Sequence, residues 1–143
     1  MSKGNTFESD LLALIFNATA IANIADNAAT SPLTNLYVSL HTADPGEAGS
    51  QTTSETAYTG YARVAVARTS GGWTVASGSV SPNANIDFGQ CTASPGAAIT
   101  HAAVGTASSG TGKVLYKGAL SAPITMAVGV IPRLTTGSAI TED

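Results

Sequence analysis

The chain has 143 residues, enough for one domain with a hydrophobic core. Its 43% of hydrophobic residues excludes a disordered chain, and its 10% of charged residues falls well below the roughly 25% of an ordinary soluble domain. The net charge is −3, and the six basic side chains form no stripe, so no direct binding to nucleic acid is expected. A surface this poor in charge suits a protein that is covered by partners or by its own copies.

The cysteine count and the N-terminal segment limit where the protein acts. Cys91 is the single cysteine, so an intrachain disulfide is excluded and a buried thiol is expected. The apolar run LLALIF is too short to span a membrane, and no signal-peptide cleavage pattern follows it. We therefore expect a protein that makes no membrane contact and leaves the cytoplasm only as part of a larger particle.

Residues 6–17 are predicted to form a helix with Thr6 as its N-cap. Its apolar residues recur every three or four positions and form one stripe, made of Phe7, Leu11, Leu14 and Ile15. This stripe has no obvious place inside a closed β-sandwich. We therefore predict that residues 1–30, within an N-terminal helix and arm that span 1–34, reach a partner through these side chains.

The apolar period changes from 3.6 to two at Asn35, where Leu36, Val38 and Leu40 share one face of a predicted strand, 35–41. Further strands are predicted at 61–68, 73–77, 85–89, 98–105, 113–120, 124–131 and 138–142. Turn signals lie at 44–46, 70–72, 81–83, 94–96 and 108–110, and the polar tract 46–60 is expected to be a long exposed loop. The pattern predicts a single all-β domain over 1–143, in which 35–143 form a jelly-roll-like β-sandwich and the helix is N-terminal.

The stretch NLYVSLHTADPGEAGS, residues 35–50, places a serine, a histidine and carboxylates close together. Ser39 and His41 share a strand face, but parallel side chains without a nucleophile elbow do not indicate a catalytic triad. Asp44 suits the first position of a turn, Pro45 the second, and Gly46 a position with positive φ. We therefore interpret the stretch as a strand and a turn, and predict no enzymatic activity.

Metal and nucleotide sites are not expected. His41 and His101 are the only histidines, and the sequence has no close ligand pair such as C-x-x-C. The stretch GTASSGTGK, 105–113, departs from the phosphate-loop pattern in its glycine spacing, and a predicted strand follows it. We interpret this stretch as a hairpin turn and expect no cofactor.

Three aromatic residues near the polar tract are the other interface candidates, namely Tyr58, Tyr61 and Trp73. Exposed aromatic side chains with small polar neighbours are favoured at protein interfaces. The alternative is that Trp73 fills one end of the sandwich. The sequence leaves both interpretations open.

The order of these segments resembles a family of small tailed-phage virion proteins, often labelled tail fibre or head decoration proteins. The resemblance covers residues 7–143, and its segments are LLALIF, NLYVSLHTADPGEAGS, GYARVAVA, IDF, ITHAAVG, GKVLYKGAL and GSAITED. It implies a β-sandwich or jelly-roll-like module without known chemistry, incorporated in many copies into the particle. Residues 21–30 depart from the family pattern as a longer insertion.

Two functions from different classes follow from the resemblance. We predict a capsid cement or decoration protein, assembled in the host cytoplasm, that bridges major capsid subunits and stabilises the phage head. Its expected partners are the major capsid protein and further copies of itself, as a dimer or trimer. The alternative is a tail-associated adsorption module that binds a host-surface glycan or protein.

Overall fold

The computed structural model describes residues 5–21 and 32–141, which form one helix and nine strands. In chain order these are α1 (Asn5–Asn17), β1 (Asn35–His41), β2 (Val64–Ala67), β3 (Trp73–Ala76), β4 (Ser79–Pro82), β5 (Ile86–Asp87), β6 (Ile99–Gly105), β7 (Val114–Ile124), β8 (Arg133–Leu134) and β9 (Ile140–Thr141). The sheets have the orders β2-β1-β6-β7, β3-β4-β9 and β5-β8. The pairs β1–β6, β6–β7, β3–β4 and β4–β9 are antiparallel. The predicted all-β class with one N-terminal helix is thus confirmed, in an arrangement consistent with a sandwich.

The chain groups into two compact units. Among the described residues, the first unit comprises 5–21, 32–35, 67–86 and 134–141, and the second comprises 36–66 and 87–133. The assignment of 1–143 to a single domain stays a prediction. The insertion expected at 21–30 lies, beyond residue 21, outside the described residues.

In the first unit, α1 packs against β3 and β4. Leu12 and Phe16, four residues apart and so on one helix face, have no exposed surface. The ring of Phe16 meets the ring of Trp73 edge-on, with centroids 4.7 Å apart. None of the described helices is long and apolar enough to cross a membrane.

The predicted helix stripe was therefore one residue out of phase, and the expectation that the helix has no packing site within the fold is wrong. The face that packs carries Leu12 and Phe16, whereas Leu11 and Ile15 are only partly buried. Phe7 is 41% exposed. The run LLALIF is apolar on every side, so its periodicity could not identify the buried face.

Two local features fix this unit. Arg68 donates from Nη2 to the Leu14 carbonyl and from Nε to the Ile15 carbonyl, which satisfies acceptors left free at the end of α1. Ser77 and Gly78 both have positive φ, 51° and 71°, as a tight two-residue hairpin turn requires. This turn makes Ser79–Pro82 a strand, where a turn had been predicted at 81–83.

In the second unit, β1 is buried on both faces. Leu36, Val38 and Leu40 lie on one face with at most 2% exposure, and Ser39 and His41 on the other with none. The register places Ser39 opposite Ala103 and His41 opposite His101. The period-two prediction for β1 is confirmed, and its polar face is covered as well.

The hairpin turn between β6 and β7 agrees with the prediction, and the strand predicted after it does not. The stretch 105–113 joins β6 to β7 as the predicted hairpin turn, with the Thr106 amide donating to the Lys113 carbonyl at 3.2 Å. The prediction of a strand at 124–131 is wrong, because β7 ends at Ile124 and a turn follows. In that turn the Val130 amide donates to the Ala127 carbonyl at 3.1 Å.

Candidate functional site

The polar tract 46–60 forms a loop in which most residues are exposed, as predicted, but three of its side chains are packed onto the fold. Gln51 is fully buried, and Thr56 and Tyr58 are 5% and 3% exposed. The Gln51 amide group donates to the Tyr37 carbonyl and accepts from the Ala107 amide. These long-range contacts make the tract a covering layer.

His41 is at the centre of the contact between this layer and β1. Its Nδ1 lies 2.9 Å from the Thr53 carbonyl oxygen, and its Nε2 lies 2.9 Å from the Ser39 hydroxyl oxygen. Because a carbonyl only accepts, Nδ1 carries the proton and Nε2 accepts from Ser39. Burial lowers the pKa of His41, more strongly than the Thr53 hydrogen bond raises it.

This serine–histidine pair is an interior contact. The sequence argument missed the hydrogen bond, because side chains two apart on a strand were taken to stand in parallel. A substrate cannot reach either group, since both residues have no exposed surface. A main-chain carbonyl, that of Thr53, also occupies the place of a triad carboxylate.

The predicted turn after β1 is confirmed. The Gly46 amide donates to Asp44 Oδ1 at 2.8 Å, and Gly46 has a φ of +75°. Lys117 on β7 lies 3.0 Å from Asp44 Oδ1 and 2.9 Å from Glu47 Oε1. The Gly46 hydrogen bond, and after it Lys117, lowers the pKa of Asp44.

A buried ion pair holds the covering layer to the β6–β7 hairpin. Arg63 binds Glu55 through two hydrogen bonds of 2.7 and 2.8 Å, and its side chain is 3% exposed. It also donates to the carbonyls of Ala107 and Gly110 at 2.9 and 2.8 Å. The hydroxyl of Tyr61 donates to Glu55 Oε1 at 2.8 Å, and burial is the main cause that raises the pKa of this phenol.

The interface candidates fall into two groups. Phe7, Leu11, Leu14 and Ile15 keep exposed surface on α1, so their role as contacts stays a prediction. The expectation of exposed aromatics is wrong for Trp73 and Tyr58, which are 2% and 3% exposed. Trp73 packs on Phe16, and Tyr58 donates to the Gly89 carbonyl at 2.8 Å. Tyr61 is partly buried and lies over Phe88, with ring centroids 6.3 Å apart.

A surface that the sequence argument did not identify is the turn between β7 and β8. Val128 is 66% and Ile131 52% exposed, and we call these two side chains the apolar turn. Its backbone is held because the Gly129 amide donates to the Cys91 carbonyl and the Cys91 amide donates to the Val130 carbonyl, both at 2.8 Å. Gly129, with a φ of +94°, and the proline at 132 were the sequence signals for a turn here.

No group of three or more His, Cys, Asp and Glu side chains among residues 5–21 and 32–141 is arranged to hold a metal ion. Cys91 is fully buried, as predicted. Within the described residues, the large exposed apolar side chains of the second unit are the two of the apolar turn.

Comparison with known families assigns the chain to a family of phage proteins. Residues 5–142 match the family described as Podophage GP4 fiber I protein gp80. Because the match spans nearly the whole chain, the protein belongs to this family. A search of curated proteins found no match to the sequence. The resemblance to phage virion proteins is supported at this level, and the family description names a fibre, without mention of head decoration.

Proposed function

We propose that the chain is a structural module of the phage fibre, which binds other virion chains through its surface and carries out no chemistry. The observation that carries the proposal is the family match, which spans residues 5–142 and bears the description of a fibre protein. This description supports our alternative of a tail-associated adsorption module at least as well as the capsid cement that we predicted from the sequence.

The hydrogen bonds of the second unit support a mechanical role, in which the module bears load within the fibre. Its buried polar groups are tied by charged and main-chain hydrogen bonds, of which Arg63 alone makes four. Such a network favours one arrangement of the backbone, since each broken bond would leave a buried polar group unsatisfied. A rigid module transmits load and presents its outer side chains in fixed positions.

The apolar turn is the proposed contact of this unit. Val128 and Ile131 stand on a backbone that is already ordered, so little conformational entropy is lost when they bind. Arg133, two residues after Ile131, forms an exposed ion pair with Asp87. This pair supplies a polar rim to the apolar turn. Further copies of the chain, in a dimer or trimer, are the proposed partners, because the whole sequence is only 10% charged.

Capsid cement remains the second candidate. The observation that favours it is the exposed part of α1, where Phe7 is 41% exposed and was predicted to reach a capsid subunit. In this case the partner would be the major capsid protein, and loss of the chain would weaken the head by mass action.

Particles assembled without this chain distinguish the two functions. The fibre proposal expects adsorption to host cells to fail while the temperature of genome release stays unchanged. The reverse pattern, in which adsorption is normal and the genome is released at a lower temperature, would refute the fibre proposal and support the capsid cement.

The double substitution Val128→Ser with Ile131→Ser tests the apolar turn. We expect the variant to fold normally and to enter particles at a reduced level. The matched control is Ala127→Ser in the same exposed turn, which should enter at the wild-type level. Equal incorporation of all forms would remove the apolar turn from the proposal.

A further inference from the structure

We propose that His41 is an acid-sensitive latch, which holds the segment Thr53–Thr56 of the covering layer against the end of β1 while its imidazole is neutral and releases it when the imidazole is protonated. The inference rests on the contacts around His41 and does not depend on the fibre function.

The segment Thr53–Thr56, the latch segment, runs antiparallel along the end of β1. The Thr42 amide donates to the Ser54 carbonyl at 2.8 Å, and the Thr56 amide donates to the Leu40 carbonyl at 2.9 Å. Between these two bonds, His41 and Glu55 are paired as an isolated bridge. The His41 ring adds a side-chain bond to the Thr53 carbonyl.

The latch segment is also locally strained. Ser54 has a φ of 54°, in the left-handed region that residues other than glycine seldom adopt. Such a conformation persists only where neighbouring contacts hold it. The bonds of His41 and Thr42 to Thr53 and Ser54 tie the latch segment to β1. A local turn adds further contacts, since the Thr53 amide donates to the Ser50 carbonyl at 3.0 Å and the Ser50 amide donates to the Thr53 hydroxyl at 3.1 Å.

Both ring nitrogens of His41 are satisfied in the neutral state. After protonation, Nε2 would also donate, and the Ser39 hydroxyl would have to turn round to accept from it. The Ala103 carbonyl, at a long 3.5 Å, would then accept the Ser39 proton. The added positive charge would also be buried, because His41 has no exposed surface, and burial of a charge is unfavourable.

The Thr53 hydrogen bond and the charge of Glu55 favour the protonated ring, but they do not outweigh its burial. Glu55, on the latch segment, is the nearby anion, but Arg63 and the Tyr61 hydroxyl already bind its carboxylate. The interactions with Arg63 and with His101, the latter directly opposite on β6, both lower the pKa of His41. Asp44, which interacts electrostatically with His101, is engaged by Lys117 of β7, which also holds Glu47.

The direction of the response follows from linkage. Burial lowers the pKa of closed His41, whereas in an opened segment it returns to about 6.5. The open form therefore binds more protons once the pH falls below about 6.5. The opening equilibrium should shift toward the open form by up to about tenfold for each pH unit, and the shift should level off at the closed-state pKa.

The Glu55–Arg63 ion pair limits how far the segment opens. Because Arg63 holds Glu55 independently of His41, release should centre on Thr53 and Ser54. The Thr42 amide, bonded to Ser54, should then lose protection more than the Thr56 amide, which follows Glu55 in the chain.

Hydrogen exchange of the intact chain, resolved by residue with nuclear magnetic resonance between pH 8 and 5 and corrected for the intrinsic rate, tests the latch. We expect protection of the Thr42 amide to fall across this range, while the Cys91 amide, bonded to Val130 in the same unit, keeps its protection. In His41→Gln, which has no titrating ring, the Thr42 amide should show no acid response. Equal behaviour of the two amides in the wild type, or an unchanged response in His41→Gln, would overturn the proposal.

A second variant keeps the test decisive should His41→Gln fail to fold. His101→Gln leaves His41 as the only imidazole, because the chain has two histidines. The ring signals of His41 should titrate below pH 6.5, and the Thr42 amide should still respond to acid, although less strongly because the His101 ring, which lowers the pKa of His41, is gone. Titration of His41 at or above pH 6.5 would refute the latch.

Discussion

Burial should decide how much each of two arginine–carboxylate pairs contributes to stability. Arg63 and Arg133 each bind a carboxylate through Nε and Nη2, Arg63 with Glu55 and Arg133 with Asp87. The Arg63 side chain is 3% exposed and that of Arg133 is 53% exposed. Replacing each arginine by methionine keeps the aliphatic stem and removes the same chemistry at a buried and at an exposed site.

The magnitudes follow from what each substitution leaves behind. Arg63→Met leaves the Glu55 carboxylate, 15% exposed, and the Ala107 and Gly110 carbonyls without their donor. Breaking a buried pair costs about 3–5 kcal/mol, and we expect about 3, because Glu55 keeps the Tyr61 hydroxyl and some solvent. Arg133→Met removes an exposed pair, for which the cost is below about 1 kcal/mol.

The assay is urea unfolding of both variants beside the wild type, followed by far-ultraviolet circular dichroism. For a chain of this length, a loss of about 3 kcal/mol also lowers the melting temperature by roughly 10 °C. The double variant Arg63→Met with Glu55→Gln should recover part of the loss, since the uncompensated charge is gone. Equal small losses for Arg63→Met and Arg133→Met would refute the argument that the buried pair holds the covering layer.

Three further predictions concern single positions. Gly60→Ala should lower the free energy of unfolding in urea by at least about 2 kcal/mol, because Gly60 has a φ of +104° and a Cβ there would lie 2.1 Å from the Gln90 carbonyl oxygen. A change of less than about 0.5 kcal/mol would contradict this prediction. Leu12→Ala should lower the free energy of unfolding by about 2–5 kcal/mol and Leu33→Ala by much less, since Leu12 is fully buried and Leu33 is 43% exposed. If thermal melts showed the same shift for both variants, Leu12 would not be a core contact of the helix. Burial raises the pKa of Tyr58 to about 12, so folded wild type and a Tyr58→Phe variant should have the same absorbance at 295 nm at pH 11, and a difference between them that develops near pH 10 would contradict the buried site.

Local signals in the sequence carried the parts of the fold that were predicted correctly. The period-two pattern identified β1, and Asp44, Pro45 and Gly46 identified the turn after it. Each of these features is determined by neighbouring residues, through side-chain alternation or through an Asx hydrogen bond. They could be inferred without knowledge of the remote contacts.

The features that were missed depend on remote residues. Gln51 lies in a tract of polar residues, and its burial arises because it fills the space beside Gly105 and Gly112, where a Cβ would come within 2.2 Å of it. The hydrogen bond between Ser39 and His41 likewise exists under a layer that no local pattern indicates. The Ser77–Gly78 turn was overlooked because serine seldom adopts positive φ.

The position of the chain in the virion tests the central claim most directly. Electron microscopy of intact particles carrying a gold-labelled tag on this protein would show whether the label lies at the tail or on the head. The fibre proposal predicts label at the tail end of the particle, in several copies. Label spread over the head surface would contradict it and would support the cement.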